Sequence, residues 1–437
     1  MKTRLLIISG ILSVIAVIVG MSVASPSINN FDDFVYQLKE PFDGAEPEEI
    51  VVPKSEYVVS KDSPINFSDY ASLNSNDFGF KFYRHLSDSD ENLFFSPISI
   101  DIVFAIIYES AQGETRENMH QLFEFEQDSE KRRLSYKNTI KNLNQKNPDF
   151  ELNVKNGIWV SDMYEINPEY EKIVTNDYAA SSQNVDFVSN HGVQTINQWV
   201  KENTNGKIEK IFEDNSTGPL TLMAATNTVY FNGLWEKQFP PGMTYERKFF
   251  VTPDNVQMID MMKIKNYHFN YYEDDAVKIV ELPYKSNRAS MYLLQSFEMH
   301  QLKQLEDNLT ANYFNELKSK LSEKMVSVIM PKFSMEMDYD LREILTEMGM
   351  THPFSRELAD LSGMANYPNI FIDEAVHKTA IDLHELGTEA AAATGAMAEL
   401  QSGSPYTFNG NHPFIYIIQD HETDQILFMG RFVNPNH

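Results

Sequence analysis

Apolar residues along this chain fall in runs whose spacing switches from helical to strand-like and back. Phe78, Phe80, Phe82 and Tyr83 predict a helix over Asp77–Leu86 with one side on a core. The next run, NLFFSPISIDIVFAIIYESAQG, places Ser96 at a helix N-cap and Pro97 at the first helical position, followed by residues apolar on nearly every side. Such a helix belongs inside a protein rather than on its surface. NGIWV at Asn156–Val160 and LTLMAATNTVYFNGLW at Leu220–Trp235 read as strands, the second too apolar for a sheet edge. Between them TINQWVKENTNGKI is a helix stopped at Asn205 and Gly206. Val277–Pro283, Met291–Leu294 and Val326–Phe333 are further strands. Leu341, Ile344, Leu345 and Met348 stand at helical spacing, with Gly349 ending the helix.

One stretch fits two states. In IDLHELGTEAAAATGAMAELQSGSP, Ile381–Pro405, the small uncharged residues Thr388, Ala390, Ala392, Thr394, Ala396 and Ala398 occupy every second position and share one face of a strand. That face suits burial between other strands, with Glu389 and Glu399 left on the wet side. Gly387, Gly395, Gly403 and the Ser404-Pro405 pair are loop punctuation, so the resting segment is expected to be exposed and mobile. A loop in one state and a buried strand in another is a switch. An Ala-rich helix or linker is the plain alternative.

Composition narrows the function classes. The formal charge of −27 over 437 residues disfavours general binding to nucleic acid or anionic membranes. The absence of cysteine removes disulfides, thiolate nucleophiles and Cys-ligated metal. No dinucleotide fold fingerprint, phosphate loop, nucleophile elbow or H-E-x-x-H occurs, so neither an enzyme nor a metal site is expected. Lys2 and Arg4 ahead of an apolar run to about Val19, with Ser22-Val23-Ala24 behind it, predict a signal peptide over 1–24 and a secreted, extracellular protein. An uncleaved signal anchor is the alternative; after cleavage no membrane contact is expected. Residues 25–65 form an acidic, mostly disordered extension, with Tyr36 and Tyr57 among its carboxylates. It is either a solubilising tail or a ligand for a basic surface on a partner. The folded domain is expected over 66–437. Asn66, Asn215 and Asn308 head glycosylation sequons. Lys131, Arg132, Arg133, Lys137 and Lys141 make Ser129–Gln145 a basic helix in an acidic protein, and Arg133, Lys137 and Lys141 share a face.

ELGTEAAAATG, Glu385–Gly395, resembles the hinge of the reactive-centre loop of serpins, the serine protease inhibitor family. FNGNHPFIYIIQDHETDQILFMGRFVNP, Phe408–Pro435, resembles that family's C-terminal strand pair. NLFFSPIS, AQGET, TNTVYFNGLWEKQF, MPKF, HPFSRELADLSGM and EAVHKTAIDL follow in the family's order. The resemblance spans about 370 residues. It implies an α+β fold: a single large domain with a main mixed sheet, two smaller sheets, about nine helices and an exposed reactive loop over about 385–407.

The resemblance also assigns roles. Ser96, Ser99, Asn227 and His377 fall in the "shutter" beneath the strands that part. Glu385, Lys332 and Trp235 fall in the "breach", where the loop enters the sheet. Gly387, Thr388, Glu389, Ala390, Ala391, Ala392, Ala393 and Thr394 form the hinge, with Gly387 the pivot. Gln401 and Ser402 flank the reactive bond; Leu400 and a shift to Ser402-Gly403 are the alternatives. The implied activity is that of a monomeric suicide-substrate inhibitor with no cofactor, which forms a covalent complex with a serine protease. No Lys or Arg lies between Lys378 and Arg431, so an elastase-like or chymotrypsin-like target fits better than a trypsin-like one. In several family members the helix equivalent to Ser129–Gln145 binds a sulfated polysaccharide; an ordinary solvated face is the alternative here. A non-inhibitory carrier or storage serpin is the second functional reading.

Overall fold

The computed structural model describes residues 73–145, 149–204, 206–214, 216–365, 367, 370–388 and 404–436. The predicted signal segment, the acidic extension, Asn66, Asn215 and the loop residues 389–403 lie outside them. Nine α-helices occur among the described residues. α1 (Ser75–Leu86) and α2 (Pro97–Tyr108) pack together, and all twelve residues of α2 are buried. Its apolar circumference leaves no face for water, as the residue pattern requires. Ser96 does take the cap position, but its hydroxyl caps nothing; its amide is engaged elsewhere, as shown below. α3 (Gly113–Phe123), α4 (Ser129–Leu143), α5 (Pro168–Tyr178) and α6 (Asn190–Asn203) follow. Later come α7 (Leu302–Asn308), α8 (Ala311–Lys320) and α9 (Leu341–Glu347).

The main sheet has six strands: β2 (Phe150–Ser161), β3 (Ser181–Val185), β4 (Met223–Leu234), β10 (Phe333–Asp340), β11 (Glu374–His384) and β12 (Gly387–Thr388). Their order is β10-β11-β12-β4-β2-β3. The sheet is mixed, because β11 runs parallel to β4 over Glu374–Thr379 and β2 runs parallel to β3, while β2 is antiparallel to β4 and β10 to β11. Above Thr379, β11 and β4 separate, and among the described residues the two of β12 stand between them. The remaining strands, β1 (Leu93–Phe95), β5 (Tyr245–Thr252), β6 (Asn255–Glu273), β7 (Val277–Pro283), β8 (Ala289–Ser296), β9 (Ser322–Pro331), β13 (Tyr406–Asn409), β14 (Phe414–Asp420) and β15 (Ile426–Phe432), form one nine-stranded array where two smaller sheets were expected. β6, nineteen residues long, pairs with β5, β7 and β9 and so makes the array continuous. Side chains of β4 divide between two cores: Met223, Ala225, Val229 and Phe231 face the large core with α2, whereas Ala224 faces the smaller one beneath α6.

Candidate functional site

The gap between β11 and β4 has a polar floor and a closed top. At the floor, His377 on β11 is fully buried and neutral, its pKa driven down to about 3 by burial. Its partners dictate the tautomer. Nε2 accepts from the Ser96 amide at 3.0 Å, so the proton sits on Nδ1 and is donated to Asn227 Oδ1 at 2.6 Å. Asn227 donates in turn to the Ser99 carbonyl at 3.0 Å and to Asn156 Oδ1 at 2.6 Å, and its amide also meets the Ser99 hydroxyl. The four residues assigned to the shutter are thus brought together, and the network ties β11, β4, β2 and α2 to one another. Asn156 was not anticipated; an asparagine in the apolar run NGIWV is the signal that pointed to it. Tyr339, whose ring stacks on His377 at 6.1 Å, carried no such signal.

At the top, Glu385 is held by three groups. Burial works to raise its pKa, yet its own backbone amide, the Thr244 hydroxyl at 2.8 Å and Lys332 at 3.2 Å carry it below the usual carboxylate value. Trp235, buried, donates from its indole to the His384 carbonyl at 3.1 Å and from its backbone to Leu386 at 2.9 Å. Glu385, Lys332 and Trp235 therefore meet at the mouth of the gap. Thr244 and Tyr284 join them without having been foreseen; the proline-ended strand before Tyr284, KIVELPY, was read for its strand alone.

The loop assigned to about 385–407 is anchored at both ends, with Pro405 and Thr407 exposed at the second. Gly387 pairs with Leu234 and His384, and Thr388 with Gly233 and Leu383, so the hinge threonine is 1% exposed. Ser404 is anchored by its amide to Asn266 Oδ1 at 2.9 Å, and β13 (Tyr406–Asn409) pairs with β9 (Ser322–Pro331). The reason at the first end is steric. A Cβ on residue 387 would lie 2.0 Å from the Gly233 carbonyl oxygen, and the residue does not take a left-handed conformation. In this state Gly387 is needed for the close approach of two backbones. A cleft of about 320 Å³ lies beside the upper part of β11, lined by Thr204, Lys207, Val229, Met335, Ile381 and Asp382 among others. Glu389, Ala390, Ala391, Ala392, Ala393, Thr394, Leu400, Gln401, Ser402 and Gly403 lie outside the described residues.

The basic helix does not present all five cations. Arg132 is 1% exposed, donating to Glu109 at 2.8 Å beneath the ring of Tyr108, and Arg133 reaches the same carboxylate at 2.8 Å. Arg132 is therefore a structural pillar and not part of an anion-binding face; a buried carboxylate requires paired cations. Lys137 pairs with Asp177 at 3.0 Å, and Lys131 and Lys141 are exposed. Asn308 is exposed at the end of α7, and the Thr310 hydroxyl of its sequon accepts from the Tyr313 amide as the cap of α8. Among the described residues no cluster of three or more metal-ligating side chains occurs, and no helix is long and apolar enough to cross a membrane.

Comparison with known proteins gives a consistent answer. The family model described as "Serpin (serine protease inhibitor)" matches residues 73–435. An uncharacterized serpin-like protein of Methanosarcina acetivorans is 37% identical, covering 84% of this chain and 87% of that one. Among solved structures, Serpin48 of the insect Tenebrio molitor, described as a highly specific serpin, superposes with a TM-score of 0.74 at 31% identity, over 85% of this chain and 99% of that one. Human thyroxine-binding globulin, solved with thyroxine, superposes with a TM-score of 0.76 at 25% identity, over 83% and 98%.

Proposed function

This chain belongs to the serpin family, whose members are mostly serine protease inhibitors, and from that premise we propose that it is an irreversible suicide-substrate inhibitor of an elastase-like or chymotrypsin-like serine protease. The protease serine attacks the carbonyl of Gln401, its proton passes through the enzyme's own base to the departing amine of Ser402, and an acyl-enzyme remains. Leu400 and Ser402 are the neighbouring alternatives for the attacked residue. The freed loop then enters the main sheet as a central strand, carrying the acylated protease with it, and the distorted enzyme fails to hydrolyse the ester. The inhibitor contributes no catalytic group.

The observation that carries this reading is the register at the mouth of the sheet. Continuing β12 one residue at a time from its Thr388–Gly233 and Thr388–Leu383 pairs sets Ala390 opposite Phe231, Ala392 opposite Val229 and Ala398 opposite Met223. In the inserted strand every small residue of the alternating set would face the same side as Met223, Ala225, Val229 and Phe231, toward the large core. The one polar member inside that run, Thr394, comes opposite both Asn227 and His377, where its hydroxyl finds hydrogen-bonding partners. Glu389 and Glu399 fall on the other face. The pairs Glu374–Ala224 to Thr379–Val229 are those that must part.

Secretion through the 1–24 segment, glycosylation at one or more of Asn66, Asn215 and Asn308, and action as a monomer complete the proposal. A sulfated polysaccharide, if it acts here, would meet Lys131, Lys137 and Lys141. Mixing the full chain with elastase, chymotrypsin and trypsin is expected to give a denaturant-stable complex with one of the first two, joined through Gln401 by mass spectrometry. Loop cleavage by all three without a complex would instead favour a carrier, as thyroxine-binding globulin is.

A further inference from the structure

We propose that Tyr284 is a positioning residue for loop insertion: its phenol holds Thr388 in register before any bond is cut. The inference rests on the inhibitory reading above. Tyr284 follows Pro283 at the end of β7 (Val277–Pro283) and is fully buried. Its ring is fixed on three sides, stacked on Trp235 at 4.5 Å and 14° and edge-on to Phe231 at 5.1 Å and Phe150 at 6.4 Å. Its backbone is fixed by the Ala289 carbonyl at 3.0 Å and by bridging to Trp235. Gly233 leaves the room the ring occupies, since a Cβ there would lie 2.8 Å from Tyr284 Cδ1. The hydroxyl at the end of this immobile ring lies 2.9 Å from Thr388 Oγ1. Burial keeps the phenol protonated by raising its pKa.

The pair sets position along the strand as well as contact. A slip of one residue would bring either Gly387, with no hydroxyl, or the Glu389 carboxylate to the buried phenol, and an unpaired carboxylate among aromatic rings is strongly disfavoured. A slip of two residues would keep the small face inward but bring Ala390, which has no hydroxyl, to the phenol. Insertion competes with hydrolysis of the acyl-enzyme, so a strand that starts already in register spends less time searching.

The test uses the full chain and three variants: Tyr284→Phe, Thr388→Val and the two combined. Either single change leaves one buried hydroxyl without a partner, whereas the double change leaves none. Each single variant is expected to raise the number of inhibitor molecules consumed per protease inactivated by roughly tenfold, with the association rate constant unchanged. The Gly387 and Thr388 amides should exchange hydrogen about tenfold faster in the singles. The double variant should be no more impaired than either single in both readouts, because each single already breaks the pair. A merely structural tyrosine would lower the melting point without this non-additivity. Parent-like stoichiometry and exchange in Tyr284→Phe would overturn the proposal, as would a double variant as impaired as its singles combined. If the parent is only cleaved by every protease, the inhibitory reading fails, and the exchange comparison alone decides whether Tyr284 holds the hinge.

Discussion

A histidine with both nitrogens committed is a pH-sensitive part. His377 accepts from Ser96 and donates to Asn227, so a second proton would have to displace the Ser96 amide inside the core. Its folded pKa of about 3 lies below the ordinary value of 6.5. The unfolded chain therefore takes up a proton that the folded one refuses, and the stability this residue supplies is whole above about pH 6.5 and is lost as pH falls toward 3. Between pH 7 and pH 5 the loss is about 2 kcal/mol. His412, also buried, has a pKa lowered to about 4 by burial and acts in the same direction. Urea unfolding of the parent and of His377→Gln at the two pH values is expected to show the variant losing about 2 kcal/mol less. Equal losses would mean that His377 does not carry the effect.

Among the elements, α4 shows how a charge run divides its labour. Asp128 caps the helix by accepting from the Glu130 and Lys131 amides at 3.0 Å, and Tyr136 donates to the buried Asp101 of α2 at 2.5 Å. Arg132 and Arg133 clasp Glu109, which also accepts from Tyr178 of α5 at 2.8 Å. One carboxylate thus holds α4 and α5 against the end of α2. Arg132→Ala is expected to destabilise the protein by about 3 kcal/mol, because it strips a partner from a buried charge. Lys141→Ala, on the wet side of the same helix, should stay within about 0.5 kcal/mol. Chemical denaturation of the two variants separates pillar from surface; similar costs would refute the division.

For the whole molecule, the decisive feature is the six-stranded sheet, in which β11 and β4 are joined in parallel below and parted above; among the described residues β12 takes the first two places between them. Filling the remainder would exchange six parallel pairs for antiparallel pairing on both sides of a new strand and would bury the small-residue face. A chain nicked in the loop, by any protease that leaves the rest intact, should therefore melt roughly 10 °C or more above the uncut protein. Scanning calorimetry of both forms provides the check, and an unchanged melt would count against insertion.

What the sequence determined by itself were the properties that act locally or along one element. The all-apolar circumference of α2 forced it inside, the alternation from Thr388 to Ala398 is of the kind that fits one strand face, and no Lys or Arg stands between Lys378 and Arg431 for a trypsin-like pocket to read. Resemblance to the serpin family added the order of the blocks and the roles of Ser96, Asn227, His377 and Glu385. Tertiary structure alone decided which of these properties meet. Arg132 looks like its neighbours in sequence, and only the position of Glu109, just past the end of α2, turns it inward. Gly387 reads as a hinge, and only the passage of Gly233 beside it shows why no side chain fits. Tyr284 stands 104 residues from Thr388 and carries no pattern of its own. Helical and strand periods report a residue's side of one element, whereas contacts between distant elements depend on how whole sheets and helices come to rest against each other.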